Sequence, residues 1–539
     1  MNPTYLATAE FDQRQKTIFQ AEKLREMLGA SRQIAEGLNI EERVRAGYPG
    51  IEPVMRVSGV LRYVAEDKAK LFSFLTELRR QIGLQLSMPV SFAIVPYASG
   101  KLDPTNTRLE VEVRARKDAR SVPVDPPANP FFAQCRVMSG LPANCWRPDI
   151  RQCDDSRRKL LSRTAVEREK FADRTRADVF KPFALVEALR ARQSNWQDCL
   201  PREFEDLVAS DSDSYIALLK ADGDGLGRLL QALTFDGLAE TLGLTAHKAA
   251  FEFSNAIEDC LKTALRQAVD RLTVGYPLSK RNKFPIVPLV RAGEDFWIVC
   301  RRDFALPLAI ELVQTYARLT AAHRFLGPAL QASGLAGKEC LTLSAGVLFA
   351  KQGYPFDAQI HLAEQLVISA KAKRRSLPEG RKQGCIDYHW LSSSGRESLT
   401  SERKRSLTVR GETVYRLTQK PFPADDLEAF CAAARELTDV PRSKLHELSA
   451  IFRMGDELSG LRFSHWRNQL TAAQDMALLR SIGALPGHVS RDLPWALPSG
   501  SPKGGEYSSP LPDLVELAEI IAPPGPAGGR EAAKQESDQ

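Results

Sequence analysis

Tyr215 to Gly227 reads YIALLKADGDGLG, and Val290 to Val299 reads VRAGEDFWIV. The first stretch is an apolar run that stops at Asp222-Gly223-Asp224-Gly225 and passes into Leu226 to Leu233, where helical spacing takes over. This is how a strand looks when it ends in an acidic, glycine-rich turn before a helix. The second stretch belongs to Phe284 to Val299, two short apolar strands flanking Ala292-Gly293-Glu294-Asp295. Between them Thr245 to Leu272 carries the spacing of a long amphipathic helix. Downstream, Phe304 to His323 reads as helix, Leu341 to Ala350 as strand, Asp357 to Lys373 as helix and Cys385 to Trp390 as strand. Strand, helix, hairpin, helix, strand is the order of a ferredoxin-like, or palm, topology.

The same order, more faintly written, opens the chain. Tyr5 to Phe11 is a strand, and Ile18, Ala21, Leu24 and Leu28 recur at helical steps, with Gly29 placed to close that helix. Val54 to Tyr63 is strand-like around Ser58-Gly59, Lys68 to Ile82 is helical, and Pro89 to Tyr97 is again strand-like. The expected class is therefore α+β with two ferredoxin-like palms. A first palm covers 1–122, and an irregular Cys-containing insertion with a linker helix covers 123–205. The second palm is 206–395, a mainly helical C-terminal domain is 396–497, and a disordered tail rich in Pro, Gly and Ser is 498–539. One helix-prone patch in that tail, Asp513 to Ile521, either docks onto a partner or stays an unattached transient helix.

Composition narrows the classes without choosing among them. The 539 residues are 43% hydrophobic and 26% charged, values of an ordinary globular protein. Lys plus Arg number 74 against 67 Asp plus Glu, a net charge of +7 that suits a polyanionic partner without establishing one. Nine cysteines at wide spacing, with no CxxC pair, read as reduced thiols of a cytoplasmic protein. The sequence has neither a signal-peptide pattern nor an apolar run long enough for a membrane span. Cys135, Cys145 and Cys153 invite a zinc reading, against which stand their poor spacing and the lack of a nearby histidine.

The carboxylates carry the chemistry. In a palm the first strand lies beside the hairpin, so Asp222, Glu294 and Asp295 meet at one sheet edge. Three carboxylates that close repel one another unless a cation neutralises them, and an all-oxygen ligand set favours magnesium or manganese. A metal so held serves phosphoryl or nucleotidyl transfer, with a nucleoside triphosphate as the natural substrate. Gly223, Gly225 and Gly227 let backbone amides come near phosphates. Lys371 and Arg375, four apart on one helix, could hold the triphosphate; read alone, the run is better taken as a solvated helix end, and it gains meaning only beside the carboxylates. The seven histidines include no His-Asp doublet, so no His-Asp nuclease is expected, and neither a nucleophile elbow nor a Walker loop occurs.

These motifs resemble a known family. YIALLKADGDGLG (215–227), VRAGEDFWIV (290–299), LSAGVLFA (343–350) and AEQLVISAK (363–371) look like the cyclase palm in the large subunit of type III CRISPR effector complexes, the Cas ten family. They are more distantly similar to GGDEF nucleotide cyclases. Residues 18–31 resemble the start of that family's first palm, and 384–390 with 416–422 resemble the segment after its second palm. The resemblance implies an inert first palm and a second palm that makes cyclic oligoadenylate from ATP when target RNA is recognised in antiviral defence. Guide and target RNA would be met through other effector subunits. It implies that Asp222, Glu294 and Asp295 ligate Mg2+ or Mn2+, and that Lys371 and Arg375 hold the triphosphate. Gly223, Asp224, Gly225, Ala292 and Gly293 would line the nucleotide. The usual Gly-Gly-Asp-Asp hairpin is here Ala-Gly-Glu-Asp, which keeps the charge and adds a methyl group. A scaffold subunit whose palm has decayed, or a free dinucleotide cyclase, are the other readings.

Overall fold

The structure is a computed structural model. It describes residues 4–521 except 13, 20, 22, 58, 87, 99–100, 120–132, 136–141, 144, 149–157, 210–213, 233, 293–294, 334–339, 379–382, 392–397, 411–413, 438, 455, 486–494 and 496–506. The chain is α+β, and its two main sheets share one topology. Strands Thr4–Phe11, Glu52–Val57, Val60–Ala65 and Val90–Tyr97 form a four-stranded sheet. The strand Thr4–Phe11 lies inside it, between Val60–Ala65 and Val90–Tyr97. In the six-stranded sheet Tyr215–Gly223 lies in the same way between Asp295–Arg301 and Leu343–Lys351, with Ile286–Ala292 outermost. Each central strand is antiparallel to both neighbours.

The second sheet is extended beyond the palm. Cys385–Trp390 adds parallel to Leu343–Lys351, and Phe422–Pro423 adds antiparallel to that. A parallel neighbour needs a crossover, which helix Phe356–Ser376 supplies. The burial pattern of Leu343–Lys351, eight successive buried residues, is that of a strand covered on both faces. In the first palm helix Leu102–Ala119 follows the last palm strand and packs on it, as Phe356–Ser376 does in the second.

The palms interlock reciprocally. Helix Ala246–Leu272 of the second lies on strand Glu52–Val57 of the first, and helix Leu24–Ala46 of the first touches strand Ile286–Ala292 of the second. Asp236 accepts from the backbone amides of Leu102 (3.2 Å) and Asp103 (3.4 Å), while Asp103 accepts from the amide of Asp236 (3.2 Å). Each carboxylate thus satisfies the open amides of the other palm's helix start. Phe19 joins the two through its ring contact with Trp297, centroids 5.0 Å apart.

Two expectations are corrected. Gly29 does not close a helix: Leu24–Ala46 runs through it, and the glycine there serves packing, since a Cβ would sit 2.3 Å from the Arg168 carbonyl of the helix against it. The tail from 498 is not disordered throughout. Tyr507–Ser508 pairs with Val414–Arg416, and Leu511–Ile521 is a helix docked within this chain against helix Ala424–Arg435. Its Leu511, Leu514, Val515, Leu517 and Ile520 are buried, and burial of that apolar stripe is what holds it. Asp513, also buried, accepts from Thr418 Oγ1 (2.8 Å) and the Gln419 amide (2.6 Å).

In the insertion, Cys145–Pro148 and Arg158–Leu161 form a hairpin, and helix Arg163–Phe180 packs on Leu24–Ala46. Cys135 is buried in a small apolar cluster with Leu161, Ala165 and Val166. The Cys145 side chain and Cys153 lie outside the described residues, and among the described residues no His, Cys, Asp and Glu group forms a metal set.

Candidate active site

The strand Tyr215–Gly223 alternates, so Lys220 and Asp222 share a face. That face is covered by helix Phe356–Ser376, whose Glu364 and Lys371 are two helical turns apart. Glu364 meets Lys220 at 3.3 Å, and Lys371 Nζ donates to Asp222 Oδ2 at 2.6 Å and to the Gly223 carbonyl at 2.8 Å. The helix lies close because Gly346 stands beneath it: a Cβ there would be 2.6 Å from Leu366 Cβ and 2.8 Å from the Ala363 carbonyl. On the other side, Asp222 is the direct Cα partner of Asp295 in the ladder, and Ala292 in turn opposes Asp295 across the hairpin. The register brings together two of the three expected ligands. Glu294 and Gly293 lie outside the described residues, as does the side chain of Asp295.

The structure turns Asp224 inward. It is 4% exposed, accepts from Ser344 Oγ at 2.7 Å and Thr342 Oγ1 at 2.9 Å, and pairs with Arg374 Nε at 3.3 Å. Burial raises its pKa, opposed first by Arg374 and then by the two hydroxyls. The Asp224 carboxylate is thus engaged by the neighbouring strand and by Arg374. Gly225 follows in the left-handed region at φ 65°, which lets the chain turn into helix Leu226–Ala232.

Of the two expected cations Lys371 reaches Asp222 and Arg375 is exposed, while Arg374, three residues after Lys371, reaches the strand beside the site. Spacings of three and four both share a helix face, so the sequence admits either arginine. The overlooked signal is Thr342 and Ser344, polar residues two apart at the start of an apolar strand, which aim two hydroxyls to one side.

Residues 215–377 match the family described as Cas10/Cmr2, second palm domain. The match spans the six-stranded sheet's four palm strands and the crossover helix Phe356–Ser376. The resemblance to the Cas10 large subunit read from the motifs is thereby borne out. No curated protein matches the chain. Among solved structures, a Csm1–Csm4 cassette in complex with pppApA matches with TM-score 0.51 at 12% identity, covering 97% of this chain and 70% of that one. Csm1 of T. onnurineus matches with TM-score 0.48 at 12% identity over 97% of this chain and 70% of its own. A Csm1–Csm4 cassette in complex with cA4 gives 0.49 at 13% identity over 90% and 70%. At such identity the likeness to the first of these is one of fold.

Proposed function

We propose that this chain is a metal-dependent nucleotidyltransferase of type III CRISPR effector complexes, making cyclic oligoadenylate from ATP when target RNA is recognised. The observation that carries the reading is the ladder register that opposes Asp222 to Asp295, with Lys371 closing the same edge. Asp222, Glu294 and Asp295 would hold Mg2+ or Mn2+; carboxylates and the Gly223 carbonyl are the hard oxygen donors such ions take. The Asp222 side chain is 28% exposed, so an ion can reach it from solvent. When bound, the metal would lower the pKa of the attacking ribose hydroxyl and steady the departing pyrophosphate. Lys371, 26% exposed, would release Asp222 and turn its ammonium to the triphosphate.

The Csm1–Csm4 cassette in complex with pppApA supports an adenine nucleotide as the substrate and another effector subunit as a partner. RNA would be met through such subunits. No helix among the described residues is long and apolar enough to cross a membrane. The test incubates the chain, alone and assembled with guide RNA, target RNA and partner subunits, with labelled ATP or GTP and Mn2+ or Mg2+. Mass spectrometry should find oligoadenylate that Asp295→Ala abolishes. Tight assembly without product would make the chain a scaffold, and a guanine product would make it a dinucleotide cyclase.

A further inference from the structure

Asp222 and Asp224 are two residues apart and live in different surroundings. The outer pair, Asp222 with Lys371, is about a quarter exposed at each side chain; the inner pair, Asp224 with Arg374, is 2% and 11% exposed. A pair open to water can change partners, whereas a buried charge left without its partner is costly. Arg374 Nε also donates to Thr342 Oγ1 at 2.8 Å, and the Asp224 amide donates to the Thr342 carbonyl at 2.9 Å. Asp224, Thr342, Ser344 and Arg374 therefore close a network that pins the turn after Gly223 to the adjacent strand. The helix bearing Arg374 cannot drift outward or inward freely, because Gly346 sets its distance from that strand.

We infer that Arg374 is a positioning residue. Through the buried Asp224 carboxylate it fixes the turn presenting Asp222 and the Gly223 carbonyl, and so sets how tightly that edge holds a divalent cation. The inference rests on the reading of the edge as a metal site. Arg374 needs no contact with nucleotide or metal to do this. Groups that orient metal ligands without touching the ion commonly change its affinity by about 10- to 100-fold when removed. Lysine at this position keeps the charge but carries it on a flexible stem, without the planar, fixed Nε–H that meets Thr342 and Asp224 here.

The experiment is a Mn2+ titration of the full chain, followed by electron paramagnetic resonance in the presence of a non-hydrolysable ATP analogue, with thermal unfolding in parallel. The variants are Asp222→Ala, Arg374→Met, Arg374→Lys and, as control, Arg403→Met. Arg403 makes a buried ion pair with Asp387 in the same sheet (2.7 Å) and has no link to Asp222. Arg374→Met should weaken Mn2+ binding by about 10- to 100-fold, with Arg374→Lys recovering part of it. Arg403→Met should lower the unfolding temperature yet bind Mn2+ as the unaltered chain does. Unchanged binding in Arg374→Met, or equal weakening in Arg403→Met, overturns the positioning role. Equal binding by Asp222→Ala and the unaltered chain, or none by the unaltered chain, overturns the metal reading itself, and the inference with it.

Discussion

The two palms solve one packing problem with nearly the same residues and keep different chemistry. Laid over each other by ladder register, Glu10 falls where Asp222 stands, because Glu10 opposes Ser91 as Asp222 opposes Ser344. Asp12 then matches Asp224, and it accepts from Ser91 Oγ at 2.7 Å just as Asp224 accepts from Ser344 at the same distance. Lys117 matches Lys371: it meets Glu10 at 2.6 Å and Asp12 at 3.6 Å. Glu110 and Lys117 are even spaced as Glu364 and Lys371 are, with Glu110 taking Arg62 where Glu364 takes Lys220. What the first palm lacks is the acidic pair of the hairpin. Val60 opposes Glu10 where Asp295 opposes Asp222, and Gly59 precedes it where Glu294 precedes Asp295. An acid, a serine and a lysine at the strand end thus belong to the architecture, and the acidic hairpin separates the two copies.

Removing the matching acids in turn puts this parallel to its hardest test. Asp222→Ala should reduce oligoadenylate formation by at least about 100-fold, as loss of a group stabilising transition-state charge does. Glu10→Ala should leave the rate within a few-fold, and equal losses would mean that both strand ends do chemistry. The lysines come next. Lys371→Ala should raise the KM for ATP by about tenfold, since a charge-assisted contact to phosphate is worth about 1.5–3 kcal/mol. Lys117→Ala, at a partly exposed pair, should cost about 1 kcal/mol of stability or less in urea unfolding, without changing KM.

A smaller effect tests the close packing above the site. The first palm has Ala93 where the second has Gly346, and Ala93 is accommodated at 0% exposure. Gly346→Ala should push helix Phe356–Ser376 outward, destabilise the chain by about 1–3 kcal/mol and slow turnover several-fold. Wild-type turnover in that variant would show the helix height to be irrelevant. The slightest effect concerns the strap on the outer edge of the second palm, for which the first palm has no counterpart among the described residues. Burial pushes Asp513 up to about 6. A free aspartate loses its proton near pH 4, so this group's contribution to stability is complete below that and is lost as pH rises through 6. The unfolding free energy from urea titrations between pH 4 and 6 should fall with rising pH at a slope approaching about 1 kcal/mol per unit, and Asp513→Asn should flatten that slope.

Much of this architecture was legible in the sequence, because apolar alternation and glycine-acid punctuation report directly on strand ends. Asp222, Asp295 and Lys371 could be placed from element order alone. Arg374 and the inward Asp224 could not, since choosing between neighbouring basic residues, or between the two acids of Asp-Gly-Asp, needs the rotation of one helix over one strand. The helix at the end of the chain was legible as a helix-prone patch at 513–521, but its docking within this chain was not, because its buried partners lie far off along the chain. The match of Glu10, Asp12 and Lys117 to the second site emerges only from ladder register, which residue spacing does not encode.

The mutual clasp between the palms bears on how such a molecule can arise and be taken apart. Since the Ala246–Leu272 helix is roofed by a strand of the opposite copy, and Asp103 and Asp236 each serve the other's amides, severing the polypeptide between the copies would bare an oily flank on both fragments and strand two carboxylates. The halves are lodgers of a single house: any change that reshapes one must be answered in the other.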